Sequence, residues 1–160
     1  MRGTNIAQQM HVASVIAPVD FTGGKTGRWM ALKQWEHITF ILSIGVSAAA
    51  ETALLVKGAT SAAGAGAAAL AFDLYTAETT TVDQLAAKQR IAAAGYTPSA
   101  VDDIFYVIEV DAADVIAQLG ETFQYVTVNV TNGANSVISS CVAILSGGRY
   151  QNDQSPTVNA

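Results

Sequence analysis

Residues 20–30 read DFTGGKTGRWM and contain Gly23-Gly24-Lys25-Thr26. Paired glycines before Lys-Thr resemble the ending of a phosphate-cradling loop. That loop reads G-x-x-x-x-G-K-[ST], because its glycines let backbone N–H groups wrap the phosphates and a helix N-terminus then faces the anion. Counted back from Gly24, its first glycine belongs at position 19. Val19 stands there, preceded by Pro18, which has no N–H to offer. After Gly27 comes Arg28-Trp29-Met30-Ala31-Leu32, a run that reads as strand rather than helix. The stretch is therefore predicted to be a glycine turn, with Lys25 solvated or in contact with a partner.

The remaining reactive side chains are scattered. His11 and His37 each sit at the edge of a strand-like run, with no Cys or His at ligand spacing, which argues against zinc. No Gly-x-Ser-x-Gly elbow is present. Asp102, Asp103, Glu109, Asp111 and Asp114 form an acidic group but lack the Asp-x-Asp-x-Asp-Gly calcium loop. They are read as solvated turn and helix-cap residues. Cys141 lies in the apolar run SVISSCVAIL and is read as a buried small hydrophobe. A single cysteine allows no disulfide within the chain, so nothing demands an oxidising compartment. Asn129-Val130-Thr131 matches the glycosylation triplet, but in a strand context that argues against modification. No catalytic residue, cofactor-binding residue, metal ligand or cofactor is assigned, and the chain reads as a non-enzyme.

Composition points elsewhere. Of 160 residues, 51% are hydrophobic and only 13% charged, against about 25% charged in soluble domains. The best apolar run, residues 38–50, is shorter than the roughly 20 residues a spanning helix needs. The opening MRGTNIAQQM shows no apolar signal-peptide core. The shortage of charge instead suggests a surface covered by neighbours, since contact cores are depleted in Lys, Glu and Asp. A net charge of −5 disfavours a nucleic-acid partner.

Period-two alternation dominates the chain. HITFILSIGVS puts Ile38, Phe40, Leu42, Ile44 and Val46 on one face and mostly small or polar residues on the other. HVASVIAPV (ended by Pro18), ETALLVKGAT, AALAFDLYTAE, IFYVIEVDA, ETFQYVTVNVT and SVISSCVAILS are further strands. SAAGAGA is a flexible turn. NGAN between the last two strands signals a hairpin, because Asn and Gly tolerate positive φ. The apolar phase changes at Tyr125-Val126, which suggests a bulge or a strand crossing between sheets. VDAADVIAQLG fits a short helix with Asp111 as N-cap and Gly120 just past its end. TTTVDQLAAKQRIAAAG is open between helix and strand pair. The fold class is thus mainly β: a single antiparallel β-sandwich over residues 1–160, jelly-roll-like or related. It has one short helix, and 1–10 and 151–160 are extended arms.

Four residues are interface candidates. Trp29 and Trp35 flank MALKQ and share a face if that strand is unbroken. Both also suit a core. Arg149 and Tyr150 stand where the last strand gives way to a polar segment, and Trp, Tyr and Arg are enriched at contact hot spots.

Three stretches, RWMALKQWEHITFILSIG, FYVIEVDAADV followed by QYVTVNVTN, and VAILSGGRYQNDQSPT, resemble the small cement or decoration proteins of tailed-bacteriophage heads. The resemblance implies a β-rich dimer or trimer, made in the host cytoplasm. It would sit on the outer capsid surface of the virion, bridge major capsid protein subunits, and need neither nucleic acid, membrane nor cofactor. The alternatives are another phage structural part (tail tube, head completion or fibre) and a carbohydrate- or ligand-binding sandwich with an exposed Trp29/Trp35 platform.

Overall fold

A computed structural model describes residues 6–47, 53–79, 84–98, 102–131 and 135–148. In chain order its elements are α1 (Ile6–Gln9), β1 (His11–Asp20), β2 (Lys25–Thr26), β3 (Met30–Ala31), β4 (His37–Ser47), β5 (Ala53–Ala59) and β6 (Ala68–Leu70). They continue with β7 (Phe72–Thr79), β8 (Lys88–Ile91), β9 (Ile104–Asp111), α2 (Ala112–Leu119), β10 (Tyr125–Thr131) and β11 (Val137–Ser146). The strands form two antiparallel sheets. One has six strands in the order β1-β11-β4-β9-β7-β8. The other runs β2-β10-β5-β6, with β3 also paired to β10. Alternation drives the packing: β9 and β11 bury every second residue. Ile38, Phe40 and Leu42 of β4, Tyr106 and Ile108 of β9, Leu54 and Val56 of β5, and Val126, Val128 and Val130 of β10 meet in one core at 0% exposure. Each fully buried large apolar side chain there contributes about 1.5–3 kcal/mol.

The mainly β sandwich agrees with the sequence reading, and so does the helix begun at Asp111 and followed by Gly120. Within the segment open between helix and strand pair, Lys88–Ile91 is a strand paired with β7, and residues 80–83 lie outside the described residues. Several details differ. The Asn-Gly signal does not join a hairpin: β10 lies in the second sheet and β11 in the first. Both flanks of β10 are occupied, one by β5 and the other by β2 and β3, so no edge is left for β11. The phase change at Tyr125 is not a bulge, because pairing with β5 runs without a shift from Tyr125 to Thr131. It marks the start of the strand. The expected strand over 68–78 splits at Ala71, where the chain passes from one sheet to the other. The Gln118 side chain clamps that residue, accepting from its N–H at 2.7 Å and donating to its carbonyl at 3.0 Å.

Pro18 does not end β1. The strand continues to Asp20 through two register shifts, one in each of the intervals Ser14–Ile16 and Ile16–Val19, and edge position and bulges are where a strand tolerates proline. Residues 6–9 are not extended as an arm would be. They make one helical turn, closed by Met10 N–H on Ile6 C=O at 2.9 Å. Residues 1–5 and 151–160 lie outside the described residues. Val46 does not face the core either. An extra residue in β4 between its pairings with Ser139 and Val137 flips the phase and leaves Val46 67% exposed. Gly45 is needed at this bulge, because a Cβ there would lie 2.9 Å from the Ile138 carbonyl oxygen.

Candidate functional site

The outward face of the six-stranded sheet carries the side chains of its strands that the core does not take up. Its register can be followed strand to strand. Val12 of β1 pairs with Ile144 of β11, which pairs with Thr39 of β4, then Glu109 of β9, Asp73 of β7 and Arg90 of β8. The neighbouring row is Ser14, Val142, Ile41, Val107, Tyr75 and Lys88. The row after that includes Ser140, Ser43 and Phe105. Val12, Val142 and Ile138 are 50%, 38% and 58% exposed. Ile41, Phe105, Val107 and Ile144 are half-buried. Strand spacing of about 4.8 Å and a rise of about 3.3 Å per residue give this four-strand neutral field about 500 Å². That is the upper range of what a monomer leaves bare.

Among the described side chains of β4, β7, β8 and β9, the charges on this face are paired with one another. His37 begins β4, where it meets Asp111 across the strand pair. Its Nδ1 lies 2.7 Å from Asp111 Oδ1, and its Nε2 contacts Glu109 Oε2. Thr39 Oγ1 donates to the same Glu109 oxygen at 2.7 Å. The hydrogen bond to Glu109 raises the His37 pKa to about 9, with Asp111 adding to it against the cost of burial. The ring is thus an imidazolium near neutrality that donates from both nitrogens and has no lone pair for general-base work. Further along, Lys88 Nζ and Arg90 Nη1 reach Asp73 at 3.0 and 3.2 Å, and Arg90 Nη2 reaches Asp114 at 2.7 Å. Desolvation opposes ionisation of Asp73, but the hydrogen bonds from Lys88 and Arg90 outweigh it and lower its pKa.

The edges of this sheet are closed to strand addition. β1 is twice bulged and carries Pro18, while β8 is four residues long and presents exposed Lys88 and Arg90. Both are standard protections of an edge.

The sequence-singled residues separate in space. Gly23 and Gly24 have φ of 77° and 81° and form a turn into strand β2, so no helix N-terminus follows Lys25-Thr26. Lys25 is a half-buried strand residue. Trp35 is only 5% exposed, in the core beside His11, with ring centroids 6.0 Å apart. Trp29 is half-buried, against Gly64. β3 ends at Ala31 and a turn follows, closed by Trp35 N–H on Leu32 C=O at 3.0 Å. The two tryptophans therefore do not line one strand face, and an exposed paired platform is absent. Arg149 and Tyr150 lie outside the described residues. Asn129 is 7% exposed and its amide donates to Thr26 Oγ1 at 2.7 Å, so the glycosylation triplet is inside the protein. Of the acidic group, Glu109 and Asp111 hold His37 and Asp114 pairs with Arg90. Asp111 occupies the helix N-cap position without making a side-chain cap bond, since its carboxylate faces the histidine. Burial pushes the Cys141 thiol up to about 12. Among the described residues, no group of His, Cys, Asp and Glu is arranged to hold a metal ion, and no helix is long and apolar enough to cross a membrane.

The His37 pairing was missed in the sequence because it needs the β4–β9 register. Parity alone already puts Glu109 and Asp111 on one face with Phe105 and Val107.

No protein-family model matches the chain, and no curated protein matches it. Among solved structures, it is similar to the crystal structure of the SPBc2 prophage-derived protein YomS. The likeness has 13% identity over 84% of this chain and 94% of that one, with a TM-score of 0.41.

Proposed function

We propose that the chain is a structural virion protein that binds the outer surface of a tailed-bacteriophage head and cements neighbouring major capsid subunits. One observation carries this reading: a largely neutral sheet face on β1, β11, β4 and β9, bordered by charges of β4, β7, β8 and β9 that, among the described side chains, are paired with one another. The apolar part of such a face gains on burial, and the charges at its border would not be left unpartnered there. Taken with the charged row, it spans about 700 Å², close to the roughly 800 Å² per partner of a standard-size interface. The scarcity of charge in the whole chain fits a body that is covered on assembly. Modest contacts repeated over a shell multiply into avidity, which suits a binding role without catalysis.

The test is calorimetry of expanded phage shells stripped of auxiliary proteins, with and without saturating purified chain. A rise in shell Tm supports the reading, and an unchanged Tm overturns it. Val142→Glu separates face from fold. Its position is solvent-exposed, so the variant keeps its own Tm while losing the effect on shells.

A further inference from the structure

We propose that the chain docks head to tail on a second copy of itself, with the Val46 end of one sandwich seated in the cavity beside α2 of the next. The cavity measures about 240 Å³, below the roughly 300–1,000 Å³ of small-molecule sites. Leu32, Ala112, Ile116 and Phe123 give it an apolar wall, and the exposed Lys33 and Glu121 contribute to its lining. Ile116 is 45% exposed. Such a space suits one or two branched apolar side chains with a charge alongside.

The matching projection stands at the other end of the same molecule. The cavity lies where β4 begins, since Ala112 at the start of α2 donates its N–H to Glu36 C=O at 2.8 Å. Val46 comes nine residues after His37, about 30 Å along the strand. It is 67% exposed, the most of any large hydrophobic among the described residues, and Ile138 is 58% exposed. The bulge at Gly45 sets Val46 across from Ile138 and turns it outward, as bulges re-aim side chains. Charge matches as well. Ile44 pairs with Ile104, so the exposed Asp103 enters β9 beside this projection. Among the described residues neither Asp103 nor Lys33 has a partner of its own. Seating Val46 and Ile138 brings that carboxylate to that ammonium, which orients the encounter. Asp20, across from Ile138, is already held by Thr22, Ser136 and the Val137 N–H. Unlike ends make a heterologous contact, which passes from copy to copy instead of closing as a two-fold pair. Two side chains and one ion pair form a small contact of the weak, transient class. This inference stands independently of the virion role: Val12, Val142 and Ile144 take no part in it, and its test contains no shells.

The experiment mixes full chains carrying Val46→Cys with mass-labelled full chains carrying Ile116→Cys and adds a short bifunctional maleimide. Both positions are exposed, so each variant should keep the parent Tm, and Cys141 is buried and stays silent in the folded protein. The expected product is the mixed pair, in roughly tenfold excess over either like pair. Its yield should fall on dilution and when Lys33→Glu is added to the Ile116→Cys chain. Products in the proportions of random collision would overturn the proposal, and so would an excess of like pairs, which marks a two-fold contact, or no cross-linked product. Sedimentation of the unmodified chain checks the same contact without a cross-linker. Association that grows with concentration and is lost in Val46→Asp supports the proposal, and a single subunit persisting up to about 1 mM overturns it.

Discussion

Replacing His37 with glutamine removes the one cation that faces both Glu109 and Asp111 on the outer sheet face. An imidazole moved from 6.5 to about 9 corresponds to at most about 3 kcal/mol in favour of the folded, protonated form. The His37 side chain is 30% exposed, so solvent screening reduces this to about 1–2 kcal/mol. The sign follows from the direction. The folded pKa lies above the unfolded value, so the contribution is complete below pH 6.5, while the two carboxylates remain ionised. It is lost as the pH rises through about 9. Thermal unfolding followed by tryptophan fluorescence should therefore show His37→Gln melting about 3–6 °C below the parent near pH 6. The two curves should converge by about pH 10, where the parent ring is neutral. A gap that stays constant across this range, or no gap near pH 6, would refute the reasoning.

Other perturbations test the packing. With its thiol pushed up to about 12, Cys141 should resist thiol reagents in the folded protein and react only at the rate of unfolding, which a denaturant series of labelling rates will show. Gly64→Ala places a Cβ 2.5 Å from Trp29 Nε1 at a φ of 80°. It should cost about 1–2 kcal/mol, visible in urea unfolding together with a shift in Trp29 emission. Gln118→Ala removes both hydrogen bonds that hold Ala71 between β6 and β7. It should destabilise by about 1–3 kcal/mol and speed hydrogen exchange at Ala71.

Much of the sandwich was legible because alternation is a local signal. β4, β9 and β11 are long, and their inward residues, such as Phe40, Ile108 and Ala143, follow strict parity. What failed was partnership. Asn132-Gly133 carries ordinary hairpin chemistry, yet β10 was claimed on both sides by β2, β3 and β5, and nothing in those few residues records that competition. The split at Ala71 depends on Gln118, which is 47 residues away in sequence. Val46 shares the parity of the core residues and is turned outward only by the bulge at Gly45. The surface site had the same fate. Its apolar residues alternate visibly, but the pairing of His37 with Glu109 and Asp111 joins positions more than 70 residues apart. Trp29 and Trp35 could not be ranked from spacing, because the turn between them decides that Trp35 goes inside.

The most direct measurement is a density map of the purified chain bound to an expanded phage shell, resolved well enough to orient the sandwich. The account requires Val12, Ile41, Val142 and Ile144 against the junction between capsid subunits. A bound chain that turns this sheet face to solvent, or a shell that binds no chain at saturation, would contradict it.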